Sequence, residues 1–225
     1  QEVDPDLEMA EITRRVFDNQ GPALLFTNIR NSRFPALSNL MGTWERTCKI
    51  FEPQLSRVKA LVDMRSAPGK HLTSLKTWVR AGSSLLNALP VRALKKPLVM
   101  HGRCGVDDLP MIKCWPKDGG PFVLLPQVFS MDPDNPSVLT SNLGMYRIQL
   151  AGNDYETGSE IGLHYQIHRG IGNHHNAALK KNRPLPVTIF IGGPPAHTLA
   201  AVMPLPEKVP EIAFAGSLAG RNFRY

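Results

Sequence analysis

The spacing of apolar residues changes character near residue 103, and that change limits what the chain can fold into. Beyond it, strand-like runs at 121–131, 143–150, 160–168 and 186–192 are separated by turn chemistry, with DPDNP at 132–136 a turn cluster. EIGLHYQIH alternates, which predicts Ile161, Leu163, Tyr165 and Ile167 on one strand face and Gly162, His164, Gln166 and His168 on the other. A helix is predicted to begin near Asn173 and end in Lys180-Lys181, and a second to start at Pro194-Pro195-Ala196 and stop at Pro204. Before residue 103 the chain reads as mixed α/β. Asp4 and Pro5 suit the N-cap and first turn of a helix carrying Leu7, Met9, Ile12 and Val16. GPALLFTNI at 21–29 predicts a buried strand. Thr43 can cap a short helix through Ile50, 54–62 offers another, and SSLLNAL at 83–89 a third that stops at Pro90. The reading is α+β: an α/β part over 1–103 and a β-rich part over 104–225.

One run raises a question. SNLGMYRIQL (141–150) is apolar and strand-like, yet it holds Asn142 and Arg147. A regular strand sends residues five apart to opposite faces. The expectation is that Asn142 sits ahead of the regular strand, with a bend or bulge near Gly144 resetting the face.

Charge and cysteines narrow the function classes. Of the net charge of +7, the stretch from Gln54 to Arg103 carries ten Lys or Arg against one acid, Asp63. Such a region can bind phosphate or nucleic acid, or be a solvated helical surface. Trp44 and Trp78 do not form a base-stacking platform, so nucleic acid is not the expected partner. Cys48, Cys104 and Cys114 are odd in number and contain no C-x-x-C pair, which favours a reducing, cytoplasmic setting over a cysteine zinc site. No run of eighteen apolar residues suggests a transmembrane segment.

Four histidines, His164, His168, His174 and His175, fall close together. On a straight strand His164 and His168 would stand about 13 Å apart, too far to share a metal. His168 is followed by Arg169-Gly170, a loop position where functional groups tend to sit. His174 and His175 read as polar residues opening a helix. Glu211 leads the apolar run IAFAGSLAG; burying an acid there is costly unless it is paired or metal-bound, and a capping role is the alternative. Asn, His and Glu together suit Mg²⁺ or Mn²⁺ better than zinc. GGPPAH (192–197) can place backbone N–H groups near an anion, but no nucleotide-binding glycine motif or G-x-S-x-G is present.

DPDLEMAEI, GPALLFTNI, DDLPMIKCWPKDGG (107–120), SNLGMYRIQL, the HRG at 168–170, GGPPA and MPLPEKVPEIAFAGSL (203–218) occur in that order along the chain. In order and spacing they resemble the UbiD-type decarboxylases, which use prenylated FMN to decarboxylate aromatic and α,β-unsaturated acids. The resemblance implies that residues 104–225 form part of a flavin-reductase-like split β-barrel. It implies Asn142, His168 and Glu211 as ligands of a divalent metal, usually Mn²⁺, that binds the cofactor phosphate, with K⁺ nearby on main-chain carbonyls around Ala201 and Met203. Main chain at Met145, Tyr146 and Arg147 and at Met203-Pro204 would line the flavin. Arg147 would hold the substrate carboxylate, two-point fashion. The modified flavin would act as the electron sink. A flavin prenyltransferase would supply it.

Family members continue well beyond the position of Tyr225 and carry further catalytic acids there, so the expectation is an incomplete decarboxylase that needs a companion chain or homo-oligomer. The N-terminal patches and DDLPMIKCWP look like the branch acting on a 3-polyprenyl-4-hydroxybenzoate in ubiquinone biosynthesis. Two rivals stand beside this reading: a non-catalytic fragment that binds cofactor or partner, and a nucleic-acid or phosphate binder using the basic stretch.

Overall fold

The computed structural model describes residues 1–66, 82, 84–205 and 209–225. The expectations for Ser83, Trp78 and much of the basic stretch 54–103, and for residues 206–208 of the MPLPEKVPEI patch, lie outside them. In chain order the regular elements are α1 (Glu8–Asp18), β1 (Leu24–Phe26), β2 (Ala36–Ser38), α2 (Trp44–Ser66), β3 (Phe122–Val123), β4 (Gln127–Met131), β5 (Ser141–Met145), β6 (Arg147–Gln149), β7 (Gly162–His164), α3 (Gly170–Lys180), β8 (Val187–Phe190), α4 (Pro195–Val202) and α5 (Glu211–Ala219). Helices thus mix with small antiparallel sheets. Two compact units form, each from interleaved segments. One takes Gln1–Lys49, Pro97–Pro126 and Tyr146–Tyr165; the other takes Ile50–Lys96, Gln127–Met145 and Gln166–Tyr225.

In the first unit, Met9 of α1 packs on Phe26 and Ile29, with Val3, Ile12, Leu24, Ala36 and Ile112 around them. Helix α1 begins later than predicted. Asp4 is not its N-cap; its carboxylate accepts the Asp6 N–H at 2.9 Å in a tight local turn, and Leu7 adopts φ 66° before the first helical residue. The predicted buried strand at 21–29 is only β1, a half-buried ribbon with β2 in which Leu25 faces Leu37 and both are exposed. A two-stranded ribbon has one face against the core and one outside. Thr43 does cap α2, its hydroxyl accepting the Arg46 N–H at 3.2 Å. The helix then runs unbroken through Pro53, where the sequence predicts two short helices. The second sheet of this unit has the order β3-β6-β7, with Ile148 opposite Leu163 and fully buried.

The second unit holds the sheet β5-β4-β8. Leu143, Ile212 and Phe223 form its core, with Phe129, Val138, Phe190 and Ala201 packed against them. Helix α5 buries Ile212, Ala215, Gly216, Ser217 and Leu218, so it is enclosed rather than amphipathic. Helix α4 occupies the predicted place between Pro194 and Pro204. Residues 84–88 are helical and the helix ends before Pro90, as predicted.

Asn142 is not ahead of the strand: it lies within β5, paired with Ser130, and Gly144 stays in the ladder opposite Val128. The break falls two residues later, at Tyr146, where the chain leaves the β5-β4-β8 sheet and enters β3-β6-β7. The predicted strand over 160–168 shrinks to Gly162–His164. Beyond it the chain turns, the Arg169 N–H donating to the Gln166 carbonyl at 3.0 Å, which leaves Ile167 exposed instead of on a buried face.

Candidate functional site

Within the second unit, Asn142, Glu211 and the His168 turn are brought together by backbone neighbours. Glu211 is the first residue of α5. Its carboxylate accepts the backbone N–H of Leu143, the residue after Asn142, at 3.0 Å. Burial pushes the Glu211 carboxyl above its ordinary range, and the Leu143 hydrogen bond opposes that only in part. Asn142 is 9% exposed. A Cβ at Gly170 would overlap its carboxamide oxygen, so the bare backbone of Gly170 makes the room that the amide fills. Gly170 opens α3 two residues after His168, which is exposed in the turn that follows β7.

Asn142, His168 and Glu211 would together offer one amide oxygen, one imidazole and one carboxylate, a combination suited to a hard or borderline dication. Among the described residues no three His, Cys, Asp or Glu side chains gather as a metal-holding group. The half-buried Glu211 carboxylate, hydrogen-bonded beside Asn142, fits such an ion. A dication would satisfy the charge on Glu211 that burial disfavours.

Arg147 belongs to the first unit. It opens β6 opposite His164, and its side chain is 64% exposed. The guanidinium lies 4.4 Å over the Phe122 ring and 3.6 Å from the Asp118 carboxylate, which is largely buried. The rings of Phe122 and His164 also meet edge-to-face, with 6.2 Å between centroids. Tyr146 packs its ring edge-to-face with Tyr165 at 6.3 Å. Met145 ends β5 in the second unit.

Met203 and Pro204 are exposed at the C-terminal end of α4, and Ala201 lies in its last turn. The final carbonyls of a helix carry partial negative charge suited to a cation. The Met203 carbonyl already accepts the Leu205 N–H at 2.8 Å. Between β8 and α4, Gly192 and Gly193 both adopt positive φ, 74° and 100°. A side chain would strain that turn.

Several residues of these surroundings have no strong signal in sequence. Phe122 reaches Arg147 because β3 pairs with β6, and Asp118 comes from the turn before β3, placements that local patterns do not encode. His174 reads in sequence as an ordinary polar residue opening a helix. Instead α3 starts three residues earlier than predicted, and His174 is half-buried with Nδ1 2.9 Å from the Ser130 hydroxyl. Burial lowers its pKa, against a smaller opposing effect of Asp132.

The comparisons with known proteins agree on a class. The family model described as 3-octaprenyl-4-hydroxybenzoate carboxy-lyase Rift-related domain matches residues 91–225, and the corresponding N-terminal domain matches residues 1–65. In fold the chain resembles the vanillic acid decarboxylase of Sedimentibacter hydroxybenzoicus in its closed form, with a TM-score of 0.75 at 21% identity, over 100% of this chain and 45% of that one. It is equally similar to the UbiD-class enzyme HmfF of Pelotomaculum thermopropionicum in complex with FMN, with a TM-score of 0.75 at 20% identity and coverage of 100% and 45%. The fold is thus that of the UbiD-class decarboxylases.

The chain belongs to the UbiD family. Among curated relatives it is 40% identical to a 4-hydroxybenzoate decarboxylase subunit of Chlamydia pneumoniae, over 99% of this chain and 37% of that protein. It is 34% identical to an uncharacterized protein of Aquifex aeolicus, over 96% of this chain and 45% of that protein. The chain therefore spans less than half the length of the curated relatives it matches. Among the described residues no helix is long and apolar enough to cross a membrane.

Proposed function

We propose that this chain supplies the cofactor- and metal-binding part of a decarboxylase that removes CO₂, without net oxidation, from an aromatic or α,β-unsaturated acid. Its cofactor would be prenylated FMN with Mn²⁺ or a similar dication, and K⁺ beside it. The observation that carries this reading is the meeting of Asn142 with Gly170 and of Leu143 with Glu211, which draws the His168 turn and the N-terminus of α5 to one strand. Family membership and the FMN complex of HmfF support the choice of ligand. Asn142, His168 and Glu211 would hold the metal. Met145, Tyr146, Arg147, Met203 and Pro204 would line the flavin, whose prenylated ring supplies the electron sink when bound. Arg147, steadied by Asp118 and Phe122, would grip the substrate carboxylate.

Residues 104–225 would be the cofactor-binding part, built on a partial split β-barrel, and 1–103 the α/β part. The substrate would be a 3-polyprenyl-4-hydroxybenzoate, the setting cytoplasmic, and the cofactor source a flavin prenyltransferase. A second polypeptide or another copy would complete the assembly; the Chlamydia pneumoniae relative, named as one subunit of a decarboxylase, and an evolved dimeric form of HmfF point that way. The test is binding of prenylated FMN and Mn²⁺ to the protein, followed by CO₂ release from a panel of aromatic acids. Loss of metal and cofactor binding in Asn142→Ala, His168→Ala and Glu211→Ala is the expected result. Unchanged binding in all three would remove the site. Binding without CO₂ release would favour a non-catalytic role.

A further inference from the structure

Ser130 and Asn142 are direct partners across β4 and β5, so their side chains leave the sheet on the same face. Ser130 is only 1% exposed. Helix α3 lies on this face through two of its residues four apart, which share one helix side. Gly170 receives the Asn142 amide, and His174 meets Ser130 with 2.9 Å between Nδ1 and Oγ. A neutral imidazole has one donor and one acceptor nitrogen, and a hydroxyl can satisfy Nδ1 in either tautomer. The helix N-terminus fixed in this way is also the end of the turn that carries His168. A shift of α3 along the sheet would move His168 and close or open the space at Gly170 together.

We propose that Gly170 and the Ser130–His174 hydrogen bond form a two-point positioning device that sets the placement of His168 relative to Asn142, and through it the affinity of the site for a dication. This rests on the reading of Asn142 and His168 as ligands. None of the three positioning residues need touch the ion. Residues that orient ligands from behind typically change metal affinity by roughly 10- to 100-fold. Gly170 contributes by what it lacks, since any side chain there pushes the amide off its place. Ser130 and His174 contribute by holding the helix at one height.

The test is Mn²⁺ binding to the full-length protein, read by loss of the free-ion electron paramagnetic resonance signal and by the line shape of the bound ion. Thermal melts of the metal-free variants run alongside. Gly170→Ala is expected to weaken Mn²⁺ by about 10- to 100-fold, and Ser130→Ala and His174→Ala by about 10-fold each, with an altered bound-ion line shape. His174→Asn keeps a polar group near the Nδ1 position and is expected to return affinity to within about 3-fold of wild type. If Asn142→Ala weakens Mn²⁺ while Gly170→Ala, Ser130→Ala and His174→Ala stay within about 3-fold of wild type, the positioning device is refuted and the ligand reading survives. If Asn142→Ala and His168→Ala leave affinity unchanged, the ligand reading fails first and the device with it. Equal loss in His174→Asn and His174→Ala, with unchanged line shape and a lowered melting temperature, would mean general loosening and would also overturn it.

Discussion

Asn142 and Arg147 stand five residues apart in one apolar run, yet their surroundings differ in kind. Asn142 is buried in its sheet, fitted against backbone at Gly170, with its neighbour Leu143 bonded to a half-buried acid. Arg147 is mostly exposed and rests on the face of Phe122 near Asp118. The first arrangement is held by packing and backbone geometry, which tolerate little displacement. The second is held by a cation–π contact and a long ion pair, both weakened by water. On the proposed function, the contrast would separate a resident ion from an exchanging substrate.

The sharpest way to break the contrast is in the buried surroundings. Glu211→Ala is expected to lower Mn²⁺ affinity by more than about 100-fold, beyond what indirect partners cost, as read by metal titration. A packing test comes next. Leu143→Ala removes a core side chain beside the site and is expected to cost about 2–5 kcal/mol in denaturant unfolding. In the exposed surroundings, if the proposed function holds, Arg147→Lys is expected to leave Mn²⁺ affinity intact but slow decarboxylation by at least about 10-fold, because an ammonium cannot match the guanidinium fork. Arg147→Ala should change stability by no more than about 0.5 kcal/mol. A stability loss near that of Leu143→Ala would erase the distinction between the two.

A smaller effect concerns pH. His197 meets Phe190 edge-to-face at 6.4 Å and lies tilted against Phe223 at 5.2 Å between ring centroids, and burial, helped by Arg221, holds its pKa below the ordinary 6.5. Its depressed pKa means the folded state binds the proton less readily than the unfolded chain. Its contribution to stability is therefore present above pH 6.5 and is lost as pH falls through the folded value. His174 shifts in the same direction. Metal-free melting temperatures should fall between about pH 7.5 and about pH 5, and His197→Phe should make that fall shallower.

How much is legible in sequence follows from how local each signal is. The Thr43 cap, the helix between Pro194 and Pro204, and the stop at Pro90 rest on a few adjacent residues, and they appear where expected. The strand at EIGLHYQIH reads too long because alternation continues through a turn whose hydrogen bond, Arg169 to Gln166, leaves no mark on polarity. The break in SNLGMYRIQL points to Gly144 because glycine marks bulges. Instead Gly144 keeps its ladder place and a tyrosine carries the change of sheet. At the candidate site, the motif residues Asn142, His168 and Glu211 are visible in sequence, but Ser130, His174, Asp118 and Phe122 are not. Their roles arise from cross-strand partners and helix docking, which depend on residues far apart in the chain.

The joint at Tyr146 has a consequence for how this stretch can vary. Strand β5 is locked in register to β4, and β6 to β3 and β7, with one residue between them. A residue inserted or deleted inside either strand would slip its ladder by a step and turn the side chains beyond it to the other face. Length here is therefore under tighter control than residue identity. Aligned relatives should run through positions 141–149 without a gap, even where most of the letters have changed.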